Sequence, residues 1–299
     1  MSRTAIEKRP LFHGNAVALS AHIRRPKDFF VPAVASSCLP VTGGLAKADS
    51  PAQNFHDIIS FDSASTHVLG DFVDLEKAAE FTRGNHGEND LPTRTIAECR
   101  VRGLKIQVPG GRSFIADQLE VQAESSAQRQ RLTEFITLRT VIEGVSVDGY
   151  ALEITTDTEM FTQCPTKEKL CRTYEQSRAF RKRYRNRFYA TGESSDSGCL
   201  GGLFGAKNHI PEARGIIIAT TVATIKWDGK PAPETEIRGN QLIIDRLGSI
   251  YFGEVIVEED FRRVTLLRFQ LGSPNGGEGA VGETQSDTQG WPPKSPGTS

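Results

Sequence analysis

The chain has 299 residues, of which 37% are apolar, so it can form one large or two modest domains with a sizeable core. Its 36 basic and 37 acidic residues give a net charge of -1, which excludes a protein that is basic over its whole surface, as polyanion-coating proteins are. No run approaches the roughly 18 to 20 apolar residues of a transmembrane helix, and residues 1–12 lack the apolar centre of a secretory signal, so we expect a cytoplasmic protein.

Strand patterns dominate the first third of the chain. Residues 15–24 alternate small or apolar side chains with polar ones, and Pro26 ends this run. The same alternation returns over Thr95–Val108 and Phe114–Ala123, which are separated by the turn residues Pro109–Gly111. The two later runs are therefore predicted to form a hairpin.

A second reversal is predicted in the middle of the chain. Residues 133–146 and 150–156 flank Asp148-Gly149, a dipeptide that favours a tight turn between strands. A short helix is predicted over Asp74–Thr82, because it begins with Asp, contains good helix formers and is followed by Gly84.

Residues 167–187 form a basic segment with nine basic and two acidic side chains. Helical spacing over this segment places one set of mostly aromatic residues within an arc of about 120°. This stripe consists of Leu170, Tyr174, Ser177, Phe180, Tyr184 and Phe188. Pro165 and Gly192 suit the two ends of a helix. We therefore predict a basic amphipathic helix over residues 160–192 that packs its stripe on the body of the protein.

A strand is the alternative for residues 181–189. It would place four arginines on one face about 6.5 Å apart, where they would repel one another without an anion or an acidic strand opposite. We favour the helix, and the cations outside its aromatic stripe are the candidate binding residues for an anionic partner. They are Arg172, Lys182, Arg183, Arg185 and Arg187.

Strand patterns return after the basic segment, over Gly215–Trp227, Gln241–Leu247, Ser249–Glu258 and Arg262–Leu271. From residue 272 onward the chain has seven Gly and four Pro in 28 residues, and we expect this tail to be disordered.

The fold prediction is mainly β, an antiparallel sandwich or barrel with one or two short helices. The chain then divides into a β-rich region over residues 1–159, the basic helix over residues 160–192, a β-rich region over residues 193–271 and the tail over residues 272–299. The two β-rich regions pack together as one domain or form two.

Catalytic and metal-binding patterns are weak. His22, His56-Asp57 and Asp196-Ser197 offer the residue types of a serine hydrolase, but such residues are common in a chain of this length. The donors His56, Asp57, Asp62 and His67 lack helical zinc-site spacing.

Neither a phosphate loop nor a disulfide framework is indicated. Residues 198–207 lack the Gly-Lys-Ser/Thr ending of a phosphate-binding loop. The five cysteines are irregularly spaced, as expected of reduced thiols. We therefore expect no metal and no cofactor, and we assign no catalytic residue.

Three hypotheses follow for function. The sequence favours a noncatalytic binding or assembly protein that presents the cations of residues 167–187 to an anionic partner, either an acidic protein or nucleic acid. The alternatives are a hydrolase with a site on the loops and a structural subunit of a larger assembly. A homo-oligomer is also compatible with the sequence.

Overall fold

The structure of the protein is a computed structural model. It describes residues 11–72, 93–127, 134–184, 187, 217–257, 262–273 and 275–289. The predicted helix over Asp74–Thr82 lies outside these ranges.

One antiparallel sheet, sheet A, combines strands from both ends of the chain. Its strands are β1 Leu11–Arg25, β2 Phe29–Cys38, β10 Ile217–Thr220, β12 Thr235–Arg238, β13 Gln241–Ile244, β14 Gly248–Val257, β15 Arg262–Leu271 and β16 Gly276–Gln289. They follow the order β12-β13-β14-β15-β16-β1-β2, and β10 pairs with β14.

The other antiparallel sheet, sheet B, is built mostly from the first half of the chain. Its strands are β3 Gly44–Phe55, β4 Ile59–Phe72, β5 Thr93–Gln107, β6 Ser113–Ala127, β7 Glu134–Glu143, β8 Val145–Val147, β9 Tyr150–Thr156 and β11 Val222–Trp227. They follow the order β11-β9-β8-β6-β5-β4-β3, and β7 pairs with β6.

The two sheets pack face to face as a sandwich, which confirms the mainly β prediction. Strands alternate buried and exposed positions, and the buried side chains of both sheets form a common core. Phe114 of sheet B and Phe252 of sheet A are both fully buried, with ring centroids 6.0 Å apart. Burying an apolar side chain of this kind contributes about 1.5–3 kcal/mol, so the inward faces supply most of the stability.

The predicted hairpins are confirmed. β5 and β6 pair through the turn at residues 108–112, and β8 and β9 reverse at Asp148-Gly149. Both turn residues have positive φ, 51° at Asp148 and 83° at Gly149, and Asp and Gly are among the residues that tolerate this conformation.

The predicted strand over Gly215–Trp227 is two strands in different sheets. Thr220 pairs with Glu254 in sheet A, whereas Val222 pairs with Thr156 in sheet B. The Thr220 hydroxyl donates to the Phe252 carbonyl over 3.0 Å and accepts from the Val222 N–H over 3.0 Å. The chain therefore crosses between the sheets at Thr221.

Residues 276–289 form a strand in the middle of sheet A, which corrects the prediction that the tail from residue 272 is disordered. β16 pairs with β1 on one side and with β15 on the other. Its glycines leave room for side chains of neighbouring strands: a Cβ at Gly279 would lie 2.4 Å from Phe269 Cζ. Side chains of β1 and β15 occupy the space beside these glycines, so β16 is buried although it has few apolar side chains. Residues 290–299 lie outside the described ranges.

Residues 159–184 form three short helices, the last two of them in the basic segment, which corrects the prediction of one continuous helix over residues 160–192. They are α1 Glu159–Gln163, α2 Lys167–Gln176 and α3 Arg178–Tyr184. Ser177 has an extended backbone (φ −105°, ψ 106°) and ends α2, and its hydroxyl accepts from the Phe180 N–H over 3.2 Å. Ser177 therefore caps the start of α3 and interrupts the continuous helix that the sequence predicted. The strand alternative is wrong for residues 181–184, which are helical.

Candidate binding surface on the helical segment

The mostly aromatic side of the basic segment packs on the sandwich. Leu170, Phe180 and Tyr184 are buried in the common core, and Tyr174 is partly buried against it. The Phe180 and Tyr184 rings lie 4.6 Å apart. Phe188 lies outside the described residues. These rings are used for packing, so they do not offer free faces to a partner.

Asp157, which directly follows β9, anchors the end of α3. Its Oδ2 lies 3.0 Å from Arg183 Nη2 and 2.9 Å from Arg187 Nη1, and its Oδ1 accepts from the Glu159 N–H over 3.0 Å. Arg183 also pairs with the Glu159 carboxylate. Burial raises the pKa of Asp157, but the hydrogen bond from Glu159 and the two arginines outweigh this effect and hold the pKa below its usual value. The carboxylate is therefore ionised whenever the protein is near neutral pH.

Arg187 also stacks on Tyr184. Its guanidinium carbon lies 4.4 Å from the centre of the tyrosine ring. Burial, followed by the negative charge of Asp157, raises the pKa of Tyr184 above its usual value, so the phenol is neutral beside the two cations.

Two further arginines bind acceptors within the helical segment. Arg172 Nη2 lies 2.6 Å from Glu168 Oε1, one turn earlier on α2. Arg181 donates to the carbonyl of Tyr174 over 2.8 Å and to that of Glu175. Because the last carbonyls of a helix lack partners within it, Arg181 stabilises the end of α2.

Three cations of the segment face solvent without an ion pair to any residue within the described ranges, and we call them the helical cations. They are Lys169 on α2 and Arg178 and Lys182 on α3. Arg178 and Lys182 are four residues apart, so they lie on the same side of α3. Lys167, by contrast, is buried.

The structure thus separates the predicted binding residues. Lys182 is exposed, Arg172 belongs to an exposed ion pair, and Arg183 and Arg187 bind Asp157. Arg185 lies outside the described residues. The sequence prediction omitted Lys169 and Arg178, although their position off the aromatic stripe was a usable signal.

The residues of the weak metal pattern do not form a metal site within the described ranges, and the serine of the catalytic pattern lies outside them. His56 packs against Phe29, with ring centroids 4.5 Å apart, and His67 Nδ1 lies 3.3 Å from Glu98 Oε2. Ser197 and residues 198–207 lie outside the described ranges. Within those ranges, no group of three or more His, Cys, Asp or Glu side chains could hold a metal ion.

A polar pocket of about 290 Å³ lies on the outer face of sheet B. Arg100 Nε lies 3.0 Å from Glu120 Oε2 there, and this contact lowers the pKa of Glu120. The charged and polar side chains that line it come from four adjacent strands. They are Lys47, Asp49, Ser65, His67, Glu98, Arg100, Glu120 and Gln122. Cations and carboxylates are mixed in it, so it does not select one sign of ligand charge.

The protein is an antiparallel two-sheet β-sandwich with a cationic helical segment between β9 and β10. The chain belongs to the family described as a domain of unknown function, DUF8256, whose sequence profile matches residues 11–258. The match ends before β15 and β16, which lie inside sheet A. No curated protein and no solved structure matches the chain. No helix within the described ranges combines the length and apolar character needed to cross a membrane.

Proposed function

We propose that this protein is a noncatalytic binding or assembly protein whose helical cations contact an anionic partner, either an acidic protein or nucleic acid. The proposal rests on a difference between two groups of cations in the helical segment. Arg172, Arg183 and Arg187 have carboxylate partners, whereas Lys169, Arg178 and Lys182 have none among the described residues. The second group can therefore bind an external anion without breaking an internal ion pair.

The docked segment suits recognition of charge rather than of base identity. Its described aromatic rings pack against the core, so stacking on bases is not available to them. Cations on a rigid, docked surface lose less conformational freedom on binding than cations on a free chain. Binding by such a surface weakens as salt rises, because counterions compete for the same charges.

We place this function in the cytoplasm, where thiols stay reduced. The cysteines in the described ranges are all free. They are Cys38, Cys99, Cys164 and Cys171. Free thiols are typical of a reducing compartment.

The test is a charge reversal at the helical cations in the full chain. The triple variant Lys169→Glu, Arg178→Glu, Lys182→Glu should bind poly-L-glutamate and duplex DNA at least roughly tenfold more weakly than the wild type in low salt. For duplex DNA, the dependence of log K on log salt should flatten by about 0.9 for each phosphate that the variant no longer neutralises. Fluorescence anisotropy over a salt series measures both quantities.

The matched control reverses three exposed cations elsewhere, Arg102→Glu, Lys105→Glu and Lys230→Glu, and changes the net charge equally. We expect it to retain most of the binding. Equal losses of affinity in the two triple variants would show that only net charge matters. Salt-insensitive binding, or no binding of either polyanion by the wild type, would refute the proposal.

A further inference from the structure

The hairpin between β1 and β2 presents an aromatic ring in an unusual setting. Phe30 on β2 is 71% exposed, the largest exposure among the exposed large hydrophobic side chains of the described ranges. Its ring stacks on that of His22 on β1, with centroids 4.0 Å apart and planes 15° apart. His22 Nε2 lies 2.9 Å from Asp28 Oδ1. The histidine is thus held in place by Asp28 and supports one face of the phenylalanine, while the other face is open to solvent.

Three cations surround the end of this hairpin. Arg24, Arg25 and Lys27 are exposed, and none forms an ion pair with a residue within the described ranges. Arg24 lies two residues beyond His22 on β1, where the register with β16 shifts between Ile23 and Arg25. Of the nearby carboxylates, Asp28 is bonded to His22, and Glu278 lies opposite His22 on β16. The positive charge is therefore concentrated at the hairpin end, beyond the aromatic pair.

We propose that this hairpin end binds single-stranded nucleic acid, with one base stacked on the open face of Phe30 and the adjoining phosphates at Arg24, Arg25 and Lys27. A flat, exposed ring beside cations is the combination by which proteins bind single strands, because every base has a π face and every link a phosphate. In duplex DNA the bases are already stacked inside, so a surface ring cannot reach them. This geometry therefore distinguishes single strands from duplexes.

A lipid surface fits the geometry less well. Side chains that insert into a bilayer interface project their apolar groups away from the protein. Phe30 instead lies against the imidazole of His22, and the neighbouring Phe29 packs partly buried against the core. The structure therefore favours stacking with a planar group over insertion among acyl chains.

The test uses the full chain and a fluorescein-labelled dT oligonucleotide of about 12 nucleotides, within the range bound by single-strand sites. Phe30→Ala should weaken binding roughly tenfold, and Phe30→Trp should retain or strengthen it, because an indole also stacks on bases. The triple variant Arg24→Gln, Arg25→Gln, Lys27→Gln should flatten the salt dependence of log K by up to about 2, at roughly 0.7 for each phosphate contact.

Tyr150→Ala is the matched control, because Tyr150 is also an exposed aromatic residue, 39% exposed, at a different turn. It should bind like the wild type. Equal binding by Phe30→Ala and wild type would overturn the inference, and so would an equal loss of affinity in Phe30→Ala for a duplex of the same length. Phe30-dependent binding to phosphatidylserine vesicles, without binding to the oligonucleotide, would assign the surface to lipid instead. All these variants keep the helical cations, so failure here is distinguishable from failure of the proposed function.

Discussion

The ion pair between Asp157 and Arg187 connects the end of β9 to the end of the helical segment, and its removal has a predictable cost. Both side chains are 14% exposed, and the charged atoms lie 2.9 Å apart. Interactions of this kind with a charged group contribute about 1.5–3 kcal/mol. Asp157→Asn preserves the shape and the acceptor for the Glu159 N–H but removes the charge. We therefore expect it to lower the free energy of unfolding by about 1.5–3 kcal/mol at pH 7.

The pH dependence supplies a second signature of the same contact. Because folding lowers the pKa of Asp157, its carboxylate stabilises the folded state above the unfolded pKa of about 3.9, and this contribution disappears as pH falls through the lower folded value. Wild type should therefore lose stability in this acidic range, and Asp157→Asn should lack this part of the loss. The difference in free energy of unfolding between wild type and Asp157→Asn should therefore become smaller as the pH is lowered.

Urea unfolding followed by circular dichroism at several pH values measures both effects. Arg187→Gln should cost nearly as much as Asp157→Asn, and the double variant should cost less than the sum of the two. Arg183→Gln is the control, since Arg183 is 46% exposed and surface pairs contribute little. A destabilisation by Asp157→Asn of less than about 0.5 kcal/mol, typical of an ordinary surface substitution, would refute the reasoning.

Two further predictions concern the tail strand and the thiols. Gly279→Ala should destabilise the protein by about 1–3 kcal/mol, because its Cβ would collide with the Phe269 ring. Gly276→Ala on the same strand should be nearly neutral, because the nearest atom to its Cβ would be 3.9 Å away. Equal urea midpoints for the two variants would contradict the placement of β16. A thiol reagent added to the native protein should label the exposed Cys38 but not Cys99, because burial encloses Cys99 and raises its pKa. Peptide mass mapping measures the labelling of each thiol. Rapid labelling of Cys99 before unfolding would show that it is not enclosed.

The local patterns that predicted structure correctly are those that depend on neighbours in sequence. Alternation over Thr95–Val108 and Phe114–Ala123 identified a hairpin, because a strand with one buried face requires apolar side chains at every second position. The helical spacing of Leu170, Phe180 and Tyr184 correctly identified a buried side, even though the helix breaks at Ser177. The break was missed because serine has two roles, as a tolerated helix residue and as a cap.

The candidate binding surface was predicted only in part. Charge counting found the basic segment, but it could not tell Lys182 from Arg183, since the carboxylate that binds Arg183 is 26 residues earlier in the chain. The stacked pair of His22 and Phe30 was also missed, because it depends on the register between β1 and β2. Cross-strand neighbours of this kind have no fixed spacing in the sequence.

By itself, the sequence determined the strand-rich class, two of the hairpins, the position of the basic segment and the burial of its aromatic side. These properties follow from side-chain periodicity and turn chemistry, which act over a few residues. The tertiary structure alone decided the order of the strands, the crossing at Thr221 and the place of β16 between β1 and β15. It also decided which cations of the helical segment have no ion pair among the described residues. These features depend on contacts between distant parts of the chain, where packing space and charge partners are supplied by residues that no local pattern brings together.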